Sequence, residues 1–531
     1  ATFSSLALDE ASPTSAVQIG DPITQKKMTD FLLEARDLGL YKGITDNGAG
    51  GLSSSLGEMA EDSGGIVIEL DKCPLKYQGL AAWEILVSES QERMSLAVDP
   101  AKIDEFLDLA KKRDVEASVV GRFTDSGKVS ILREGSTVGE LSLDFLHNGL
   151  PVMRLKAQWV PPSVADSGTP KVDLKKALLD LLSDPNIRSK EKLVRQYDHE
   201  VQAQSVTKPF TGIHADAPSD GAVLTPRYDS FEGITVTHGI CPRYSDTDTY
   251  AMAVNAVDEA YRAHIACGGD PDFAAALDNF CWPDPVESEK TPDGRYKLAQ
   301  LVRACRGLHD ACVTYGLPLI SGKDSMKNDA NLAGKKVSVR PTLLISLMGK
   351  VRDIRKTVCT DFIEAGDSIW LIGHTKEDLG CSAFSFITKS VFSGVPLAEP
   401  RDAVRLYRKV HTAIEEGFLR SCHDLSEGGL AVAAVESAFG QRLGAKIDVA
   451  HLPAKEGVSE LSLLFGETPS RFIVTVRQKY QKNMEELFSG FSAAEIGKVD
   501  DSGEVVFTSK EKELLRLNMQ EMTKAWKEGE F

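Results

Sequence analysis

The feature that most limits what this chain can fold into is a repeat. ITDNGAGGLSSSLGEM (Ile44–Met59) and CHDLSEGGLAVAAVES (Cys422–Ser437) place an acid, a Gly-Gly pair and a helix-compatible run in the same order. Asp46, Gly50, Gly51, Leu52 and Glu58 each find a partner 378 positions on, in Asp424, Gly428, Gly429, Leu430 and Glu436. The spacing holds upstream, from Pro22 to Pro400, and downstream, from Glu89 and Arg93 to Glu467 and Arg471. GRFTDSGKVSI (Gly121–Ile131) then matches GKVDDSGEVVF (Gly497–Phe507) at 376. A period this long means two copies of one domain rather than a solenoid.

Each copy reads as α+β. The pattern in the first predicts a helix over 21–38, a strand over 41–45, the glycine turn and a helix from Leu52. Strands over 65–70 and 85–98, a helix over 103–113 and a closing hairpin at Asp125-Ser-Gly follow. Between the copies lies a different unit, with helices expected over 173–183, 251–267 and 297–315. In the last of these Leu298, Leu301, Val302, Cys305, Leu308 and Cys312 recur at helical spacing. Strands are expected over 233–238, over 337–347 and in the short PLI before SGKDS, and Pro285–Gly294 reads as a surface loop. The domains implied are 1–150, 151–365 and 366–531. The second copy opens on an apolar strand, GDSIWLIG from Gly366, for which the first has only ATFSS. The expectation is a C-terminal part of a longer polypeptide, or one product of a break in a loop.

Charge narrows the partners. A net charge of −17 argues against nucleic acid, whose phosphates demand Lys/Arg clusters. No run approaches the ~18 apolar residues of a membrane span. Nine cysteines without a C-x-x-C pair point to a reduced, intracellular, cytoplasmic protein rather than a zinc or disulfide scaffold.

An acid before a Gly-Gly turn that opens a helix can hold Mg²⁺ on nucleotide phosphates, since the helix start offers free N–H groups and a positive dipole end. The alternative is a helix cap with glycines chosen for tight packing, and duplication fits both. The middle unit adds PSDGAVLTP, AVDEAYRAH, LDNFCWPDP and SGKDSMKND, each with an acid or amide near an element end. In the last, a buried strand is expected to run into Gly322, Lys323, Asp324 and Ser325, although the spacing is not that of a phosphate loop. SESQERM offers Glu89, Ser90 and Gln91 to a polyol or amide, or else forms an amphipathic strand edge. Glu259 reads alternatively as a solvated helix face. No nucleophile constellation is present, and His423 reads as structural.

Taken together, AVQIGDP, ITDNGAGGL, WEILVSESQERM, AVDEA, DNFCW, SGKDSM and HDLSEGGL resemble the phosphoribosylformylglycinamidine synthase family, in family order along nearly the whole chain. The resemblance implies the α+β fold of the aminoimidazole ribonucleotide synthetase-like superfamily: two duplicated α/β C-terminal domains flanking one ATP-binding, half-barrel domain. It implies conversion of formylglycinamide ribonucleotide to the amidine with ATP, Mg²⁺ and ammonia from a glutaminase subunit or domain. It also implies a missing N-terminal synthetase segment before Ala1 that carries the catalytic histidine. Carried over by motif, Gln18, Glu89, Ser90, Gln91 and Ser325 are expected to contact substrate. Asp278, Gly322, Lys323 and Ser426 are expected to contact nucleotide, and Asp46, Asp220, Glu259 and Asp424 to hold metal. Four positions after Glu259, relatives commonly carry Asn as a ligand, and this chain has Ala263. Lys323 and Asp324 also depart from the shorter members. That leaves a second possibility, a scaffold half whose nucleotide site is vestigial.

Overall fold

The computed structural model describes residues 20–75, 78–168, 170–196 and 199–528. The chain divides into two compact units, one of 1–155 with 327–337, the other of 156–326 with 338–531.

The first unit contains α1 (Pro22–Asp37), β1 (Gly43–Asp46), α2 (Gly51–Ser63), β2 (Ile66–Glu69), α3 (Ala82–Leu86) and β3 (Met94–Ala97). It continues with α4 (Ile103–Lys112), β4 (Gly121–Phe123), β5 (Lys128–Arg133), β6 (Ser136–Ser142) and α5 (Leu143–Asn148). β1 pairs antiparallel with β3, and a separate sheet runs in the order β4-β2-β5-β6. Leu52, Leu56 and Ala60 of α2 bury against Ile66 and Ile68 of β2 and Val129 and Ile131 of β5. A second small core joins α1 to α4, where the Phe31 and Phe106 rings meet edge-on at 5.0 Å.

The second unit begins with α6 (Leu174–Ser183), α7 (Glu191–Val194), β7 (Ser205–Thr207), β8 (Phe210–Thr211), β9 (Ala217–Pro218) and β10 (Ala222–Leu224). Then come β11 (Gly233–Ile240), α8 (Thr249–Ala266), β12 (Ala274–Cys281), α9 (Gly294–Tyr315) and β13 (Leu319–Ser325). The β14 (Asp329–Leu332) and β15 (Lys335–Ser338) pair, which falls almost wholly to the first unit, precedes β16 (Thr342–Val351) in the chain. A six-stranded sheet, β13-β12-β16-β11-β10-β7, receives α8 and α9 on the face bearing Ala276, Phe280, Leu343, Ile345 and Leu347.

The rest is β17 (Ser368–Ile372), α10 (Ala383–Thr388), α11 (Pro400–Glu415), β18 (Leu419–Asp424), α12 (Gly429–Phe439) and β19 (Gly444–Asp448). It ends with α13 (Glu460–Phe465), β20 (Phe472–Val476), α14 (Gln481–Leu487), β21 (Ala493–Asp500), β22 (Glu504–Ser509), β23 (Lys512–Asn518) and α15 (Met519–Glu528). The sheet here is seven-stranded, β18-β20-β17-β21-β19-β22-β23. β17 is buried throughout because the sheet is covered on both faces. Trp370 and Ile372 enter one core cluster, Ile369 and Leu371 the other.

The repeat is visible strand by strand. β18 and β20 correspond to β1 and β3, and β21-β19-β22-β23 to β4-β2-β5-β6. In the second copy β17 lies between β20 and β21 and makes one sheet of the two parts. Among the described residues of the first copy no strand takes that place.

Four sequence expectations change. Ile85 lies in α3 rather than a strand, because the Glu84 carboxylate accepts from the Ala81 N–H at 2.7 Å and starts a helix. Only Met94–Ala97 of that segment extends. The Asp125-Ser-Gly turn does not close a hairpin: β4 and β5 both pair with β2, which sits between them. The strand expected over 337–347 is divided at Pro341, which has no N–H to give a ladder. SGKDS is not a turn after a buried strand but the body of β13, an exposed edge strand.

Candidate functional site

The two glycine turns have one construction. Gly50 and Gly51 take φ of 80° and 55°, Gly428 and Gly429 of 79° and 65°. This left-handed backbone is open to glycine at little cost. A Cβ on Gly51 would stand 2.1 Å from the Ser88 carbonyl oxygen, and one on Gly429 would stand 2.6 Å from that of Gly466, its repeat partner. The loop laid against each turn is held by an arginine. Arg93 donates to the carbonyls of Ser88 and Ser90, and Arg471 to those of Gly466 and Thr468. The same loop's glutamate caps the turn. Glu89 accepts from the Gly50 N–H at 3.2 Å and Glu467 from that of Gly428 at 2.8 Å. The packing explanation for the glycines therefore holds in both copies, and Glu89 has an internal partner.

What differs is the acid. Asp46 ends β1 exposed to solvent, one oxygen accepting from the Gly48 N–H at 2.8 Å, and no cation among the described residues pairs with it. Beside it Asn47 is buried and accepts from Ser55 and Ser95, which fixes the strand end. Glu89, Ser90 and Gln91 lie in the loop before β3, in the same unit, with Ser90 and Ser88 hydroxyls 3.0 Å apart.

Asp424 ends β18 buried, and its Oδ2 accepts from Arg262 Nε at 2.8 Å. Arg262 comes from α8, a helix buried on nearly every side, so each of its polar groups needs an internal partner. The guanidinium also donates to Asp258 at 2.5 Å, and Asp258 accepts from Tyr315, Tyr407 and Ser470. Asp220 accepts from the Asp424 N–H at 3.0 Å and faces His423 Nδ1 at 2.5 Å, whose other nitrogen meets Glu436 at 3.2 Å. Burial opposes charge on His423, but Asp220 and Glu436 outweigh it and hold the imidazole above its ordinary value. Glu259 accepts from the Ile240 N–H at 2.7 Å and from Ser426 Oγ. Burial raises its carboxyl.

Ligand atoms of Asp220, His423 and Asp424 come within 4.8 Å of one another, a spacing a metal ion could use. The fit to Mg²⁺ is nonetheless poor. Arg262 and His423 already neutralise these carboxylates, Glu259 turns to other donors, and buried Ala263 supplies no ligand. Asp46 fits better, being an open carboxylate beside a helix start.

Asp278 and Gly322 are register partners on β12 and β13. The Asp278 carboxylate lies over the glycine so closely that a Cβ there would stand 2.6 Å from it. Burial raises the Asp278 carboxyl. Lys323 and Ser325 follow along the same edge strand. The structure thus brings Asp220, Glu259, Asp424 and Ser426 into one cluster and Asp278, Gly322, Lys323 and Ser325 onto one strand pair. Gln18 lies outside the described residues. Sequence reasoning passed over Asp258, Arg262 and Glu467. The first two stand four apart on one helix, and the third repeats Glu89; both signals were legible.

The AIR synthase related protein C-terminal domain model matches residues 1–133 and again 364–510, and the N-terminal domain model matches 218–351. The phosphoribosylformylglycinamidine synthase subunit PurL of Methanocaldococcus jannaschii is 34% identical over 538 aligned residues, covering 100% of this chain and 70% of that subunit. The chain belongs to the PurL family. Solved PurL structures share its fold. Thermotoga maritima PurL complexed with FGAR is 21% identical at a TM-score of 0.62, over 92% of this chain and 67% of that one. The ATP complex of the same protein is 22% identical at 0.61, over 91% and 68%. PurLQS from that organism is 22% identical at 0.60, over 92% and 68%.

Proposed function

We propose that the chemistry of this PurL-family ligase runs at the first glycine turn, around Asp46 and the Glu89–Gln91 loop. The chain is an ATP-dependent carbon–nitrogen ligase of purine biosynthesis that converts formylglycinamide ribonucleotide to formylglycinamidine ribonucleotide. The observation that carries the placement is the asymmetry between the repeats. Both turns are built alike, but Asp46 faces solvent and pairs with no cation among the described residues, while Asp424 is paired inside the protein.

In this reading ATP phosphorylates the amide oxygen, giving an iminophosphate, and ammonia displaces phosphate. The protein's part is positioning and charge neutralisation. Asp46 would hold Mg²⁺, which when bound offsets phosphoryl charge. Ser90, Gln91, Ser325 and Gln18 bind the substrate's polar groups, and Glu89, which holds the Gly50 N–H, is assigned to the substrate as well. Asp278, Gly322 and Lys323 contact nucleotide: the bare glycine lets the β13 backbone approach a phosphate, and Lys323 supplies charge. A glutaminase subunit or domain supplies ammonia, and the occurrence of Thermotoga maritima PurL within PurLQS supports a partnered arrangement. The 1–150, 151–365 and 366–531 division and a cytoplasmic location belong to the same reading. Among the described residues no helix is long and apolar enough to cross a membrane.

The test uses formylglycinamide ribonucleotide labelled with oxygen-18 at the amide. The complete enzyme, given ATP and ammonium, is expected to place the label in inorganic phosphate. Phosphate free of label, with amidine formed, would overturn the iminophosphate route.

A further inference from the structure

The resemblance assigns metal to Asp220, Glu259 and Asp424 and nucleotide to Ser426, residues the fold gathers into one cluster. We infer that it takes neither, because the chain supplies its own cation: Arg262 stands in the place of a metal ion. The inference rests on the family reading only for the expectation of nucleotide and metal at this cluster.

The guanidinium is 3% exposed and bridges Asp258, itself fully buried, to Asp424. Arginine remains charged at any pH the fold meets, and its planar fork suits two carboxylates at once. Other carboxylate oxygens of the cluster have donors too. Tyr315, Tyr407 and Ser470 reach Asp258, His423 and the Asp424 N–H reach Asp220, and Ser426 and the Ile240 N–H reach Glu259. An incoming ion would have to displace a buried guanidinium and leave it without a partner, which is costly.

The phosphate end is closed as well. The start of α12 is where a phosphate would be received, and there the Glu467 carboxylate already accepts from the Gly428 N–H at 2.8 Å. It also accepts from the N–H of Ala383, the first residue of α10, again at 2.8 Å. The cavity beside it, lined by Arg243, Glu259, Arg262, Glu427 and Glu467, measures about 40 Å³. That is room for a water molecule, against the roughly 300 Å³ or more of ordinary ligand pockets.

The test is Mn²⁺ binding followed by electron paramagnetic resonance, with melting midpoints, on the complete protein. Wild type and Asp424→Asn are expected to bind the same number of Mn²⁺ ions, and the wild-type midpoint to be unmoved by EDTA. Arg262→Met, which leaves two carboxylates uncompensated, is expected to melt roughly 5–10 °C lower and to recover part of that loss in Mn²⁺. A wild-type Mn²⁺ site lost in Asp424→Asn, or Mn²⁺ stabilising wild type as much as Arg262→Met, would overturn the inference. If Arg262→Met does not fold, the wild-type and Asp424→Asn comparison decides. Ligase activity is not a readout, so failure of the catalytic reading leaves this result standing.

Discussion

Glu467 shows how a single residue carries both fold and pH response. Burial pushes its carboxyl up to about 7 from an ordinary 4.5, against the two backbone N–H groups that favour its charge. The folded chain therefore keeps a proton that the unfolded chain releases from about pH 4.5. The stabilisation is complete below that value and is lost as the pH rises to about 7, an effect of up to roughly 3 kcal/mol. Glu467→Gln keeps an oxygen for the two N–H groups, so its denaturation midpoints between pH 5 and 8 should be flatter than those of wild type. A parallel decline in both would assign the pH dependence elsewhere. At this scale the sequence was legible where residues repeat: Glu89 and Glu467, Arg93 and Arg471 serve the same carbonyls and amides in both copies. It was less legible at Asp424, whose partner Arg262 is 162 positions away. No local pattern specifies a pairing made through tertiary structure.

At the scale of elements, the glycine turns are the strictest demand the chain makes. Gly51→Ala would force a Cβ against the Ser88 carbonyl at a positive φ, whereas Gly127, at φ 73°, has nothing within 4 Å of its would-be Cβ. In urea unfolding Gly51→Ala should cost about 2–4 kcal/mol and Gly127→Ala about 1 kcal/mol. Equal costs would mean that strain alone, not the carbonyl contact, selects glycine at Gly51. The long helices were read from sequence to within three residues because their apolar spacing is regular, whereas the short α3 was read as strand. Strand pairing was not, because β4 and β5 adjoin in sequence yet leave a slot for β2, and nothing in the Asp125-Ser-Gly turn announces the third strand. The exposure of β13 was also hidden: PLI looks like core, and only the sheet order shows that it is an edge.

For the whole molecule, duplication has produced two turns of one design with different surroundings. Both turns are capped by a glutamate, but the first keeps an open acid, and the second is closed by an arginine and a histidine of the same chain. The repeat and the α+β class were readable from spacing along the chain, and the family from the resemblance of seven motifs in order. The difference between the copies was foreshadowed only by Ala263. The most direct measurement is phosphate release from ATP with formylglycinamide ribonucleotide and ammonium by the complete enzyme, comparing wild type, Asp46→Asn and Asp424→Asn, with melting midpoints on the same samples. Asp46→Asn should lose roughly 10²–10³-fold in turnover at an unchanged midpoint, and Asp424→Asn should melt earlier while largely keeping its rate per folded molecule. The reverse pattern, with Asp46→Asn merely unstable and Asp424→Asn folded but inactive, would contradict the division of labour between the two turns.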